Sequence, residues 1–321
     1  MDQKIKVYSK SIHNKKKTKR KKGIIVFMRL IFITIICTML FLVLKTATEG
    51  RKEFISTSNI SYYIDIADEY SKPNQQLNWK EIAAIYGVVV AGDFDKHKDA
   101  TLKGIASDFY GRKMSGGKYE LLDFDSVIAK QGFNKKQIKR AYNNLERLDT
   151  ISIRGEIEGK KEKKDSFINS LKKDSISMYK KYGIFPSVSI GQAILESDWG
   201  NSSLAKDYKN YFGIKADKSW KGRLVTLTTK ENHNDIIKDK FRVYSSVGES
   251  IDDLGEFLTN NPRYKENGVF DAKNYREQVQ ALEDAGYSTA KNESGEKIYA
   301  DLLIDIIKEN NLMLIDYEAN K

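Results

Sequence analysis

The stretch "PSVSIGQAILESDWGNSSLAKDYKNYFGIKA" runs from Pro186 to Ala216. Its first twelve residues read as a helix, opened by a proline whose missing N–H is no loss in the first turn. Before it, "FINSLKKDSISMYKKYG" places Phe167, Leu171, Met178 and Tyr182 on one helical face, and Gly183 is a natural stop. The helix from Pro186 ends on an acid, Glu196, followed by Trp199-Gly200 and a loop rich in Asn, Tyr and Gly. A carboxylate there meets the negative end of the helix dipole. Packing against Ile194, Leu195 and Trp199 would disfavour its ionisation further. A carboxylic acid that keeps its proton near neutral pH can give it to a departing oxygen. The competing reading is a solvated surface glutamate.

Downstream, "GRLVTLTTKENHNDIIKDKFRVYSS" changes period. Leu224, Thr226 and Thr228 alternate with Val225, Leu227 and Thr229, "NHND" is turn chemistry, and "KFRVY" is a second strand. This predicts a small β-hairpin with Glu231 near its tip. Helices return in "VGESIDDLGEFLTN", "NYREQVQALEDAG" and "EKIYADLLIDIIKEN". Upstream, residues 61–150 read as an all-helical accessory region. Its longest piece, "LNWKEIAAIYGVVVAG", has Asn78 as N-cap and Glu81 as a solvated helix residue. The charged run 151–166 reads as a linker, and 313–321 as a C-terminal tail.

The chain has 321 residues and a formal charge of +11. Residues 1–22 hold ten Lys/Arg and one acid, and 46–321 balance at 43 basic and 43 acidic residues. The excess is a tail rather than a patch on a folded face, which excludes a nucleic-acid partner on charge grounds. After the basic tail (1–23), residues 24–44, "IIVFMRLIFITIICTMLFLVL", match the length of a single membrane span. The cations before it place the N-terminus in the cytoplasm and the chain from Lys45 outside the membrane, after a polar stalk over 45–60. A cleaved signal peptide is the competing reading. The single cysteine, Cys37, lies in that span, and His13, His97 and His233 have no ligand spacing. The sequence therefore implies no metal and no cofactor, and leaves carboxylates, hydroxyls and aromatics for any chemistry.

"AILESDWGNSSLAKDYKNYFGIKA", "SWKG", "TLTTKE", "KFRVYSS", "NPRY" and "ALEDAGYST" follow one another as they do in the bacterial glucosaminidase family, glycoside hydrolase family 73, which residues 167–312 resemble. The resemblance implies a mainly α, lysozyme-like catalytic domain with a β-hairpin lobe. It also implies endo-β-N-acetylglucosaminidase activity on peptidoglycan glycan strands. Glu196 matches the family's general acid, Glu231 its second glutamate, and Tyr287 a tyrosine important in relatives. Asp198 stands where the family commonly has a small residue. For the substrate groove the candidates are Trp199, Asn210, Tyr211, Phe212, Gly213, Trp220, Tyr244 and Tyr264. Trp199 and Phe212 suit packing as well as binding. The alternatives are a lytic transglycosylase or muramidase using Glu196 alone, and a non-catalytic glycan-binding scaffold. The expected setting is a single-pass membrane protein facing the cell wall, with the bilayer held by 24–44 and a wall or membrane protein partner available to 61–150.

Overall fold

The helix that ends at Glu196 is the element around which the others are laid. The computed structural model describes residues 54–151, 158–231 and 235–321. The expected membrane span at 24–44 lies outside them. No helix among the described residues is long and apolar enough to cross a membrane.

In chain order, α1 (Thr57–Tyr70), α2 (Trp79–Val89) and α3 (Asp99–Asp108) lead to a hairpin of β1 (Tyr110–Lys113) and β2 (Tyr119–Leu121). Then come α4 (Phe124–Lys130), α5 (Lys135–Thr150), α6 (Glu158–Tyr182), α7 (Pro186–Ser197) and α8 (Ser203–Tyr208). A second hairpin, β3 (Leu224–Glu231) with β4 (Asp235–Arg242), precedes α9 (Val247–Asn260), α10 (Pro262–Glu266), α11 (Tyr275–Asp284), α12 (Tyr299–Glu309) and α13 (Met313–Ala319). The molecule is thus mainly helical with two small antiparallel sheets. In the second, Leu224 pairs with Arg242 and Glu231 with Asp235, so the register has no slip along its length.

Several expected signals act as read. Asn78 caps α2 by accepting from the Lys80 N–H, Gly183 ends α6 at φ 74°, and Pro186 sits in the first turn of α7. From Pro186 to Ile194 every residue of α7 is buried, because α6, α11, α12 and α13 all pack on it. Gly191 makes the closest of these approaches possible: a Cβ there would lie 2.9 Å from Leu303 Cδ1 on α12.

Four expectations change. The accessory region is not all helix, because Gly116 and Gly117, at φ 82° and 83°, turn the chain between β1 and β2. The stretch expected as a linker to residue 166 is helical from Glu158, since Lys and Glu form helix well without an apolar face. Helix α1 starts at Thr57, inside the expected stalk. The expected tail is α13, with Met313, Ile315, Asp316 and Tyr317 buried.

Residues 57–321 form one compact unit. Asp68 of α1 accepts hydrogen bonds from Tyr275 Oη at 2.5 Å and Arg276 Nε at 2.8 Å on α11. Trp79 Nε1 donates to Asn311 Oδ1 at 2.9 Å. Glu81 is not solvated: it is buried, accepts from Tyr317 Oη at 3.1 Å, and burial raises its pKa. These buried polar contacts tie 57–150 to the helices around α7.

Candidate active site

Glu196 is held from both ends of α7. At the N-terminal end, Asp316 of α13 accepts from Ser187 N at 2.8 Å and from Ser187 Oγ at 2.6 Å. A carboxylate from elsewhere in the chain thus caps a helix whose own Phe185 offers no side-chain cap. Asp316 is fully buried, which raises its pKa to about 7 against the pull of those two donors.

At the C-terminal end the chain reverses through Asp198 (φ 51°), Trp199 (φ 57°) and Gly200 (φ 73°). Left-handed backbone costs a residue with a side chain roughly 1–2 kcal/mol. Ser197 offsets part of this: its hydroxyl donates to Ala193 O and accepts from Gly200 N at 2.7 Å. Ser202 N also closes onto Ser197 O at 2.9 Å. The turn leaves Glu196 as the last outward side chain before the reversal.

Glu196 is both exposed and desolvated. Water reaches its side chain, yet the surrounding protein raises its pKa from 4.5 to about 7, with burial as the cause. A carboxyl with protein on one side and solvent on the other meets both descriptions. Its charge is felt by Tyr287 and Tyr299, whose hydroxyls are pushed well up by burial first and by Glu196 among the neighbouring charges. Tyr287 follows α11 and lies between Tyr264 and Tyr299, with ring centroids at 6.3 Å and 5.5 Å. The structure therefore groups Glu196 with Tyr287. Tyr299, at the start of α12, and Gln192, one turn before Glu196, complete the group without having been singled out in the sequence. Gln192 is hidden there in an apolar run, and its spacing of four residues from Glu196 was the available signal.

Glu231 ends β3, and its side chain lies outside the described residues. The base of its hairpin is firmly set. Arg242 forms a buried ion pair with Asp253 of α9 at 2.8 Å, and Tyr244 Oη donates to the same carboxylate at 2.6 Å.

The expected groove residues divide into two sets. Asn210, Phe212, Tyr244 and Tyr264 are buried. Asn210 has its amide committed to the fold: Nδ2 donates to Ile214 O and Arg242 O, both at 2.9 Å, and Oδ1 accepts from Ile214 N. It fastens the loop to the hairpin instead of facing a ligand. Trp199, Tyr211, Gly213 and Trp220 are half-buried. Phe167 of α6 bridges Trp199 and Tyr211 at 6.0 and 6.1 Å, and Lys164 lies 4.7 Å over the Trp199 ring. Trp220 donates to Arg223 O at 2.9 Å and stacks under the Arg242 guanidinium at 4.6 Å. Gly213, at φ 63°, supplies a backbone conformation that side chains disfavour. Among the described residues no cluster of three His, Cys, Asp or Glu side chains could hold a metal ion.

Residues 172–312 match the family model for glucosaminidase, described as mannosyl-glycoprotein endo-beta-N-acetylglucosaminidase. Exo-glucosaminidase LytG of Bacillus subtilis is 40% identical over 154 residues, 46% of this chain and 51% of LytG. Peptidoglycan hydrolase FlgJ of Vibrio parahaemolyticus is 26% identical over 284 residues, 86% of this chain and 84% of that protein. The catalytic domain of the autolysin Auto from Listeria monocytogenes superposes with a TM-score of 0.42 at 27% identity, covering 57% of this chain and 98% of that domain. The chain spans about half the length of LytG. The family model and the LytG identity, taken with the helix, acid and hairpin in order, identify residues 172–312 as a glucosaminidase-family domain of the glycoside hydrolases.

Proposed function

We propose that the protein is a peptidoglycan hydrolase that cuts β-1,4 glycan bonds at N-acetylglucosamine from within the strand, with Glu196 as general acid. The observation that carries this reading is the Glu196 carboxyl, which reaches solvent while burial keeps its pKa at about 7. Half of such groups carry a proton at neutral pH, where a free glutamate carries almost none. As the bond from C1 to the glycosidic oxygen breaks, that proton passes to the departing oxygen. C1 is then taken either by a water that Glu231 activates or by the sugar's own 2-acetamido group, with Tyr287 beside it. The anomer released first separates these routes: inversion marks the water route and retention the acetamido route.

The family match and the FlgJ and LytG relatives support the substrate class. LytG carries "exo" in its name, which favours a second reading, release of single sugars from a strand end. Digestion of purified cell wall followed by mass spectrometry tests both. Internal fragments with reducing-end N-acetylglucosamine support the endo reading, and monosaccharide alone supports the exo reading. Reducing-end or anhydro-N-acetylmuramic acid refutes both. Glu196→Gln is expected to abolish release while glycan binding persists. In the same reading residues 24–44 anchor the enzyme with its lysozyme-like domain outside the membrane, which protease accessibility on intact and permeabilised cells would test.

A further inference from the structure

The even charge of residues 46–321 conceals a sorting within the accessory region. Residues 57–109 hold five Lys/Arg and eight Asp/Glu, whereas 110–150 hold nine Lys/Arg and five Asp/Glu. Much of the second excess lies on α5. The inner face of this helix is fixed: Ala141, Asn144 and Leu148 are buried, and Asn144 Nδ2 donates to Ala84 O of α2 at 3.0 Å. Its start is fixed as well, by the capping box of Asn134 and Gln137. The helix therefore cannot roll, and its outer face has a set direction.

On that face Lys136, Lys139, Arg140, Asn143 and Arg147 are all exposed. At 3.6 residues per turn they fall within an arc of about 100°. No carboxylate stands inside the arc, and Glu146 borders it. Two neighbouring acids are engaged elsewhere: Asp149 pairs with Lys80 at 3.1 Å, and Asp125 of α4 accepts from Tyr142 Oη. Lys136, Lys139 and Arg140 make no ion pair with a described residue. Lys135 and Lys139, and Lys136 and Arg140, are like charges one turn apart, which weakens a helix. An opposing layer of anions would relieve that repulsion.

The chain itself says which anions are nearest. If residues 24–44 are the anchor, twelve residues, 45–56, join them to α1, and fully extended these reach about 40 Å at most. On so short a tether the folded unit meets lipid headgroups at high effective concentration. We propose that the face of α5 carrying Lys136, Lys139, Arg140 and Arg147 docks on the anionic phospholipid headgroups of the membrane that holds the chain. Docking there sets which side of the catalytic unit turns toward the wall. The inference rests on the anchor reading of 24–44.

The test uses the full chain, reconstituted in bilayer discs of neutral lipid and in discs with an anionic fraction. Asn143→Cys, inside the arc and uncharged, carries a fluorophore in a Cys37→Ser background, and lipids with spin-labelled headgroups quench it on contact. A second chain, labelled at Glu293→Cys on an exposed segment before α12, reports unspecific approach. Quenching at 143 is expected in anionic discs only. It is expected to vanish in about 1 M salt, where charges are screened beyond about 3 Å. Each cation beside such a surface is worth about five-fold. Lys136→Gln/Lys139→Gln/Arg140→Gln keeps good helix formers, and is expected to lower the ratio of docked to undocked chains by about 100-fold. Quenching at 143 that is absent from anionic discs, equal in neutral ones, or matched at 293 overturns the proposal. Preference for a soluble glycerol-phosphate polymer over anionic discs at equal phosphate assigns the face to a wall polyanion and overturns it too. Failure of the chain to float with neutral vesicles instead defeats the anchor itself, so the two failures are distinct.

Discussion

An acid kept partly buried for its chemistry should weaken the fold whenever it is charged, and Glu196→Gln measures by how much. Burial raises the Glu196 pKa from 4.5 to about 7. With each pH unit worth about 1.4 kcal/mol, the ceiling on the penalty of holding the ionised form is roughly 3 kcal/mol. The side chain is also exposed, so solvent screens part of that, and about 1–2 kcal/mol is the expected remainder. The sign follows from linkage. Below pH 4.5 the carboxyl is protonated in the folded and unfolded states, and glutamine should match it. Between pH 4.5 and about 7 the unfolded chain ionises first, so the wild type loses stability that the glutamine variant keeps. Above pH 7 the difference should level off. Urea unfolding of both proteins at pH 4.5, 6.0, 7.0 and 8.0 reads this directly. The glutamine variant is expected to be inactive and, above neutrality, the more stable of the two. A stability difference that does not change across that range would mean the carboxyl is not desolvated, and the argument for a protonated acid at neutral pH would go with it.

Asp198→Gly should raise stability by up to about 1 kcal/mol, since glycine accepts φ 51° without a Cβ clash, and a thermal melt would register it. Asp316→Ala strands the Ser187 N–H and hydroxyl in the core, and a loss of about 2–4 kcal/mol in chemical denaturation is expected. Arg242→Met leaves the Asp253 carboxylate buried without its ion pair, at a cost of about 3–5 kcal/mol. The same change loosens the base of the hairpin, so a rise in KM should accompany it, and double-mutant analysis with Asp253→Leu should recover much of the stability.

What the sequence disclosed and what it withheld follow from the range of the forces involved. Helix α7, its proline start and the alternating threonines of β3 are local patterns, and they are legible because the period of the backbone dictates them. The resemblance carried Glu196 and Tyr287 to positions that the fold does bring together. The hairpin of β1 and β2 was not visible, because "YGRK" and "YEL" are too short and too polar to alternate clearly. The sequence reads α13 as a tail because seven residues hold barely two turns of pattern. Glu81 reads as solvated and Asp316 gives no signal for one reason: a buried carboxylate is recognised only by partners, and theirs are 236 and 129 residues away in the chain. Asn210 looked like a ligand group because an amide in a loop has free valences on paper, and only the folded loop shows that Ile214 and Arg242 use them.

The clasp between Asp316 and Ser187 joins positions 129 residues apart. At a synthesis rate of about 5–20 residues per second, residue 316 follows residue 187 out of the ribosome by on the order of ten seconds. Until then the start of α7 lacks the partner that its Ser187 N–H and hydroxyl have in the folded chain, and the proposed catalytic centre waits on the far end of its own sequence. If the protein does cut the wall of the cell that makes it, an unfinished or shortened copy is an unarmed one.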